Sequence, residues 1–128
     1  TAAPWHKLPA LYAGVRRTLM EVMGTSATRP LVLSHLSHAY LDGASLYFTF
    51  LARQQQGKEL QQWQRVKTAA TEAVIGLGGA LGHHHGIGRM QSPWMQRYLT
   101  PEGMAVLSHL KEKLDPRNIM NPGKLIGE

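Results

Sequence analysis

The chain has 128 residues, 43% of them hydrophobic, and a formal net charge of +6. That is enough apolar material for one small domain or part of a larger one, and it excludes a disordered polar chain. The absence of cysteine excludes a disulfide framework and zinc-thiolate sites, and fits a reducing compartment. An excess of 14 Lys and Arg over 8 Asp and Glu favours anionic partners such as a phosphate ester, a dinucleotide, a membrane surface or nucleic acid. The competing reading is that the charge only aids solubility. No apolar run approaches the roughly 18–20 residues that span a bilayer, and no basic start leads into an apolar signal segment. The opening Thr1-Ala2-Ala3-Pro4 reads as an interior cut, so a fragment is expected.

The first helix is expected from Trp5 to about Gly24. Leu8, Leu11, Tyr12, Val15, Leu19, Val22 and Met23 recur at helical spacing, with Lys7, Arg16, Arg17 and Glu21 between them. A connector follows over Thr25-Ser26-Ala27-Thr28-Arg29-Pro30. Leu31 to Tyr40 and Ser45 to Ala52 read as strands joined at Leu41-Asp42-Gly43-Ala44, where Asp-Gly signals a hairpin turn. Strict alternation puts His35 and His38 on opposite faces, and Tyr47 lies within reach of the first strand's histidines across the pair. Glu59 to about Leu77 reads as a long helix, with Leu60, Trp63, Val66, Lys67, Ala70, Val74 and Leu77 on its buried side. Ala80 to His83 is expected as a short third strand. Met90 to Leu99 is irregular and aromatic, fit to cover a ligand or the core. Thr100 caps a last helix that opens on Pro101 and ends at Asp115-Pro116. The expected class is α+β: helices over one face of a small antiparallel sheet.

One stretch carries the chemistry. In Gly78-Gly79-Ala80-Leu81-Gly82-His83-His84-His85-Gly86-Ile87-Gly88-Arg89, five glycines surround three histidines and an arginine closes the run. Glycine lets the backbone approach a ligand closely, histidine moves protons near neutral pH, and arginine offers a fork of donors for phosphate or carboxylate. The bland alternative is a glycine-rich turn with surface histidines. A Rossmann fingerprint is rejected, because these glycines end a helix instead of opening one after a strand. A metal is not expected, because no carboxylate stands nearby in sequence to complete a site. No interleaving of basic and aromatic residues supports nucleic-acid binding.

The histidine run, followed by Leu114-Asp115-Pro116-Arg117-Asn118-Ile119-Met120-Asn121-Pro122-Gly123-Lys124, resembles the C-terminal end of FAD-linked oxidases, two-domain flavoproteins of the vanillyl-alcohol oxidase type. The resemblance covers Leu31 to the end and, more loosely, the first helix. Members that oxidise D-2-hydroxy acids such as lactate and glycolate read Gly-Glu-His-Gly where this chain has His83-His84-His85-Gly86, and Asn-Leu-His where it has Ser45-Leu46-Tyr47. The branch of alkylglycerone-phosphate synthases reads Ser-His-His-His-Gly-Val-Gly-Lys at the loop and Asp-Ala-Gly-Ala-Cys-Ile-Tyr-Phe on the strand. The present Leu41 to Phe48 and Gly82 to Arg89 are similar to that branch. Arg89 departs from its lysine, and Asn121-Pro122-Gly123-Lys124 looks more like the oxidases.

The resemblance implies FAD as cofactor and a fragment of a two-domain flavoprotein: residues 1–128 as the substrate-side cap portion, with the FAD-binding domain absent. It implies exchange of the acyl group of acyl-dihydroxyacetone phosphate for a fatty alcohol. In that scheme a tyrosine takes a proton from C1, and the flavin assists expulsion of the fatty acid and holds the carbon skeleton until the alcohol adds. Tyr47 would be the acid/base, and His84 and His85 would share protons or polarise the substrate. A phenol, with an ordinary pKa near 10, needs cationic or hydrogen-bonding neighbours for such work near pH 7. His38, His83, Asn121 and Lys124 would meet the cofactor, and Arg89 the substrate phosphate. The alternatives are an FAD-linked oxidoreductase acting on a hydroxy acid and a non-enzymatic phosphate-binding module. The expected partners are a lipid phosphate substrate and the missing FAD domain, with no nucleic acid. Peripheral membrane contact and a homodimer stay open, as does a location in the cytoplasm or at a membrane. The fragment alone is expected to be inactive and to bind FAD poorly.

Overall fold

In the computed structural model, Tyr40 N–H donates to Gly43 O at 2.8 Å, which closes the turn between strands β2 (Leu31–Ala39) and β3 (Gly43–Leu51). Residues 1–25 and 28–126 are described; Ser26 and Ala27 of the expected connector lie outside the described residues. The chain divides into two compact units, Thr1–Ala80 and Leu81–Glu128.

In the first unit, helix α1 (Leu8–Met23) and helix α2 (Glu59–Gly76) accompany a three-stranded antiparallel sheet in the order β1-β3-β2. The arrangement is α+β. Strand β1 (Ala2–Pro4) pairs with β3, Ala2 opposite Ser45 and Pro4 opposite Gly43. Gly43 is required there, because a Cβ at that position would stand 2.3 Å from the Ala3 carbonyl oxygen. Leu8, Leu11, Val15, Leu19 and Met23 follow one another at three- and four-residue steps and bury the face of α1. They pack with Val32, Ala44 and Leu46 of the sheet and Val66 of α2. The Tyr12 and Phe48 rings stack at 6.4 Å over the same face.

Two expectations for this unit are corrected. The apolar side of α2 is only half used. Val66 is buried and Ala70, Val74 and Leu77 pack partly against the core, but Leu60 is 66% and Trp63 45% exposed. Contact is made instead near the C-terminal end of α2, where a Cβ at Gly14 of α1 would meet Leu77 Cδ1 at 2.4 Å. The third strand is Ala2–Pro4, not Ala80 to His83. Ala80 N–H does donate to Ala2 O at 2.8 Å, and Thr1 Oγ1 donates to Ala80 O at 2.9 Å. That pairing goes no further, because the chain beyond turns back on itself and a Cβ at Gly82 would meet Ile87 Cδ1 at 2.8 Å.

The second unit opens on the histidine run as a string of bends. Gly88 O accepts from Gln91 N–H at 3.1 Å and Ser92 N–H at 3.0 Å, which leads into a 3-10 turn at Ser92–Trp94 and the one-turn helix α3 (Met95–Tyr98). The aromatic stretch expected to be irregular is thus mostly helical turn. Helix α4 (Pro101–Leu114) starts where the sequence places it, with Thr100 Oγ1 accepting from Gly103 N–H at 3.2 Å. Among the described residues, no helix is long and apolar enough to cross a membrane.

Candidate functional site

Tyr47 and His38 belong to the first unit. The β2–β3 ladder places Val32, Ser34, Leu36 and Ala39 opposite Phe50, Phe48, Leu46 and Ala44, the face that meets α1. Tyr47 therefore stands on the other face, and its side chain is 55% exposed. It is not a core aromatic. The ladder slips by one residue between Leu36 and His38. This bulge at Ser37 cancels the alternation that would separate the two histidines. His35 faces Tyr47 and His38 faces Ser45, so both histidines share the Tyr47 face, contrary to the alternating pattern. The His35 and Tyr47 rings stack at 5.3 Å with 25° between planes. His38 N–H donates to Ser45 Oγ at 3.0 Å, and His38 Nδ1 lies 3.3 Å from the same oxygen. Ser45 is buried, at 4% exposure.

His83, His84, His85, Arg89, Asn121 and Lys124 belong to the second unit. The three histidines do not alternate as in a strand. His83 Nδ1 and His84 Nδ1 lie 2.8 Å apart and share a hydrogen bond, and the His84 and His85 ring centroids are 4.4 Å apart. His85, Asn121 and Lys124 line one open groove of about 560 Å³, with Lys111 beside them and Ile87, Leu107, Met120 and Leu125 as its apolar wall. Arg89 lies along Gly123, where a Cβ would stand 3.4 Å from Arg89 Nε.

The groove wall is held by a side chain that sequence reasoning passed over. Asp115, only 9% exposed, accepts from Ile119 N–H at 3.0 Å, from Met120 N–H at 2.8 Å and from the Lys111 ammonium. Lys111 also donates to Met120 O. The Lys111 ammonium, then the Met120 and Ile119 amides, hold the Asp115 carboxyl below its ordinary range against the opposing effect of partial burial. So fixed, the tail takes left-handed backbone at Asn118, Asn121 and Leu125, with φ of 49°, 50° and 62°. Asparagine tolerates that region, but for leucine it is strained. Leu125 N–H donates to Ile87 O at 3.2 Å, tying the tail to the histidine loop. The sequence marks Asp115 only as the helix end before Pro116, and nothing in it announces the carboxylate's bonds to Ile119, Met120 and Lys111. His35 had no signal either, because no glycine or proline announces the bulge.

The profile of the family described as FAD linked oxidases, C-terminal domain, matches residues 1–125. The chain belongs to that family. The match includes the first helix, which the motifs reached only loosely. This FAD-linked oxidase C-terminal domain is 35% identical over 126 residues to the alkyldihydroxyacetonephosphate synthase of Dictyostelium discoideum, covering 98% of the chain and 21% of that protein. The synthase of Trypanosoma brucei brucei is 38% identical over 115 residues, covering 90% of the chain and 19% of that protein. The glycolate oxidase subunit GlcD of Bacillus subtilis (strain 168) is 36% identical over 70 residues, covering 55% of the chain and 15% of that protein. The domain spans about a fifth of the length of the synthases it matches.

Proposed function

We propose that this domain is the substrate-side portion of an FAD-dependent, alkyldihydroxyacetonephosphate synthase-like enzyme, completed by an FAD-binding domain of the same protein. The observation that carries the reading is the Tyr47 phenol, displayed on the open face of the hairpin at the position where the synthase-like motif has its tyrosine. The similarity to synthases along nearly the whole chain supports it, whereas the glycolate oxidase match covers about half.

The groove donors suit a group that is anionic and rich in carbonyls: an ammonium at Lys124, an amide at Asn121 and an imidazole at His85. Asn121 and Lys124 would hold FAD from this side, with His38 and His83 as its further contacts. When bound, FAD supplies the ring system that assists departure of the fatty acid from the substrate carbon. Tyr47 takes the proton from C1 of the acylated dihydroxyacetone phosphate and returns it after the fatty alcohol has replaced the fatty acid. His84 and His85 polarise the substrate, and Arg89 binds its phosphate. Acyl ester and alcohol enter, ether and fatty acid leave, and no net electrons move.

The test uses the full-length protein. A yellow protein that incorporates labelled fatty alcohol into the ketone phosphate, with its flavin oxidised at the end, supports the reading. Bleaching of the flavin by D-lactate or glycolate without exchange overturns it in favour of an oxidoreductase. A full-length protein that takes up no flavin overturns both.

A further inference from the structure

We propose that His35 is a positioning residue for Tyr47, holding the phenol ring in a single orientation by stacking across the hairpin. The inference rests on the proposed role of Tyr47 as acid/base. Tyr47 stands on an open face with more than half its surface exposed, so core packing does not fix its side-chain torsions. A proton-transferring group needs a defined position, and small misplacements cost rate. The ladder pairs His35 directly with Tyr47, and directly opposed side chains on one face are close enough to interact across the strands. Their centroids lie 5.3 Å apart with planes only 25° from parallel, within the range of favourable ring stacking.

The bulge at Ser37 gives this pair its surroundings. It turns His38 onto the same face, where Ser45 Oγ accepts the His38 N–H at 3.0 Å. The backbone beyond His35 is thereby pinned to a residue two positions before Tyr47. A regular strand would carry His38 to the opposite face. The bulge instead puts a second imidazole on the face that bears the phenol, opposite Ser45, while His35 keeps its pairing with Tyr47.

The experiment compares His35→Ala and His35→Phe with the unaltered protein, each full length and loaded with FAD. Alkoxy-for-acyl exchange is measured alongside the fluorine spectrum of 3-fluorotyrosine at position 47. His35→Ala is expected to lower kcat by about five- to tenfold, with KM within about twofold. Its fluorine resonance should move, because the neighbouring imidazole ring is gone. His35→Phe restores a stacking ring without a titratable nitrogen, and is expected to recover both kcat and a single sharp resonance. A merely structural role would not make recovery depend on a ring. If His35→Ala leaves kcat and the fluorine shift unchanged, the proposal is overturned. It is equally overturned if His35→Phe is as impaired as His35→Ala, since the imidazole would then act by hydrogen bonding or proton transfer. The fluorine measurement needs no turnover, so it decides the contact independently of the exchange reaction. Full activity in Tyr47→Phe would instead sink the acid/base role while leaving the stacking result intact.

Discussion

A hydroxyl on an exposed ring is a small thing to remove from a fold and a large thing to remove from a reaction. The Tyr47 side chain is 55% exposed, so Tyr47→Phe is expected to leave the thermal midpoint of the full-length protein within about a degree, since exposed changes of this kind are close to neutral. Under the proposed mechanism it removes the acid/base, and exchange should fall by about 10²- to 10⁴-fold. Steady-state rates measured beside a melting curve separate the two effects, and parallel losses would show Tyr47 to be structural. Lys124→Gln probes the groove. If Lys124 holds FAD as proposed, loss of one charge-assisted hydrogen bond should weaken FAD retention roughly tenfold, read by flavin release on dilution. Tyr47 and Lys124 stand out in the sequence because each lies in a recognisable run, Leu41 to Phe48 and Asn121 to Lys124. The direction of His38 was not legible. Alternation is the sequence rule for strands, and the bulge at Ser37 breaks it with residues that carry no bulge signature.

At the level of elements, the two long helices of the first unit were readable from their apolar spacing, and the last helix because its start is written in a side chain. Thr100 accepts from Gly103 N–H at 3.2 Å, and Thr100→Ala should cost about 1 kcal/mol in urea unfolding. Strand β1 was not readable. Three residues ending in proline give no periodicity, and the strand exists only through its register with β3. Gly43 is its steric condition. Gly43→Ala forces a methyl into the Ala3 carbonyl and is expected to cost about 1–3 kcal/mol, with loss of amide protection at Leu46, whose N–H donates to Thr1 O. The tail loop adds a dependence on pH. Its Asp115 carboxyl titrates below the ordinary carboxylate range, so the folded state favours the ionised form. The stabilisation is complete above the unfolded value near 3.9 and is lost as pH falls through the lower folded value. Melting of the unaltered chain and Asp115→Asn should therefore differ at pH 7 and converge as the pH falls through the lowered folded value. Equal midpoints at pH 7 would remove Asp115 as the clasp of the groove wall.

At the scale of the molecule, the first unit has one buried face and one open one. Against the buried face of the sheet, Leu11, Val15 and Leu19 of α1 are at most 2% exposed. On the opposite face of the hairpin, Leu31 and Leu51 are direct partners and Leu33 follows on the same side, yet they are 50%, 63% and 53% exposed. A row of large aliphatic residues beside Tyr47 and His35 is costly to leave in water. The domain is about a fifth the length of the synthases it resembles, and the proposed reading gives this face an occupant, the FAD-binding domain of the same protein. Two measurements follow from that assignment. The 128-residue chain on its own should self-associate at concentrations of tens of micromolar, and the paired change Leu33→Lys with Leu51→Lys should return it to a monomer in sedimentation. The same pair in the full-length protein should lower retention of FAD, because it charges a surface that the assignment buries. If the paired variant instead binds FAD as tightly as the unaltered full-length protein, this face does not meet the flavin-bearing domain, and the site proposed around Tyr47 loses its cofactor.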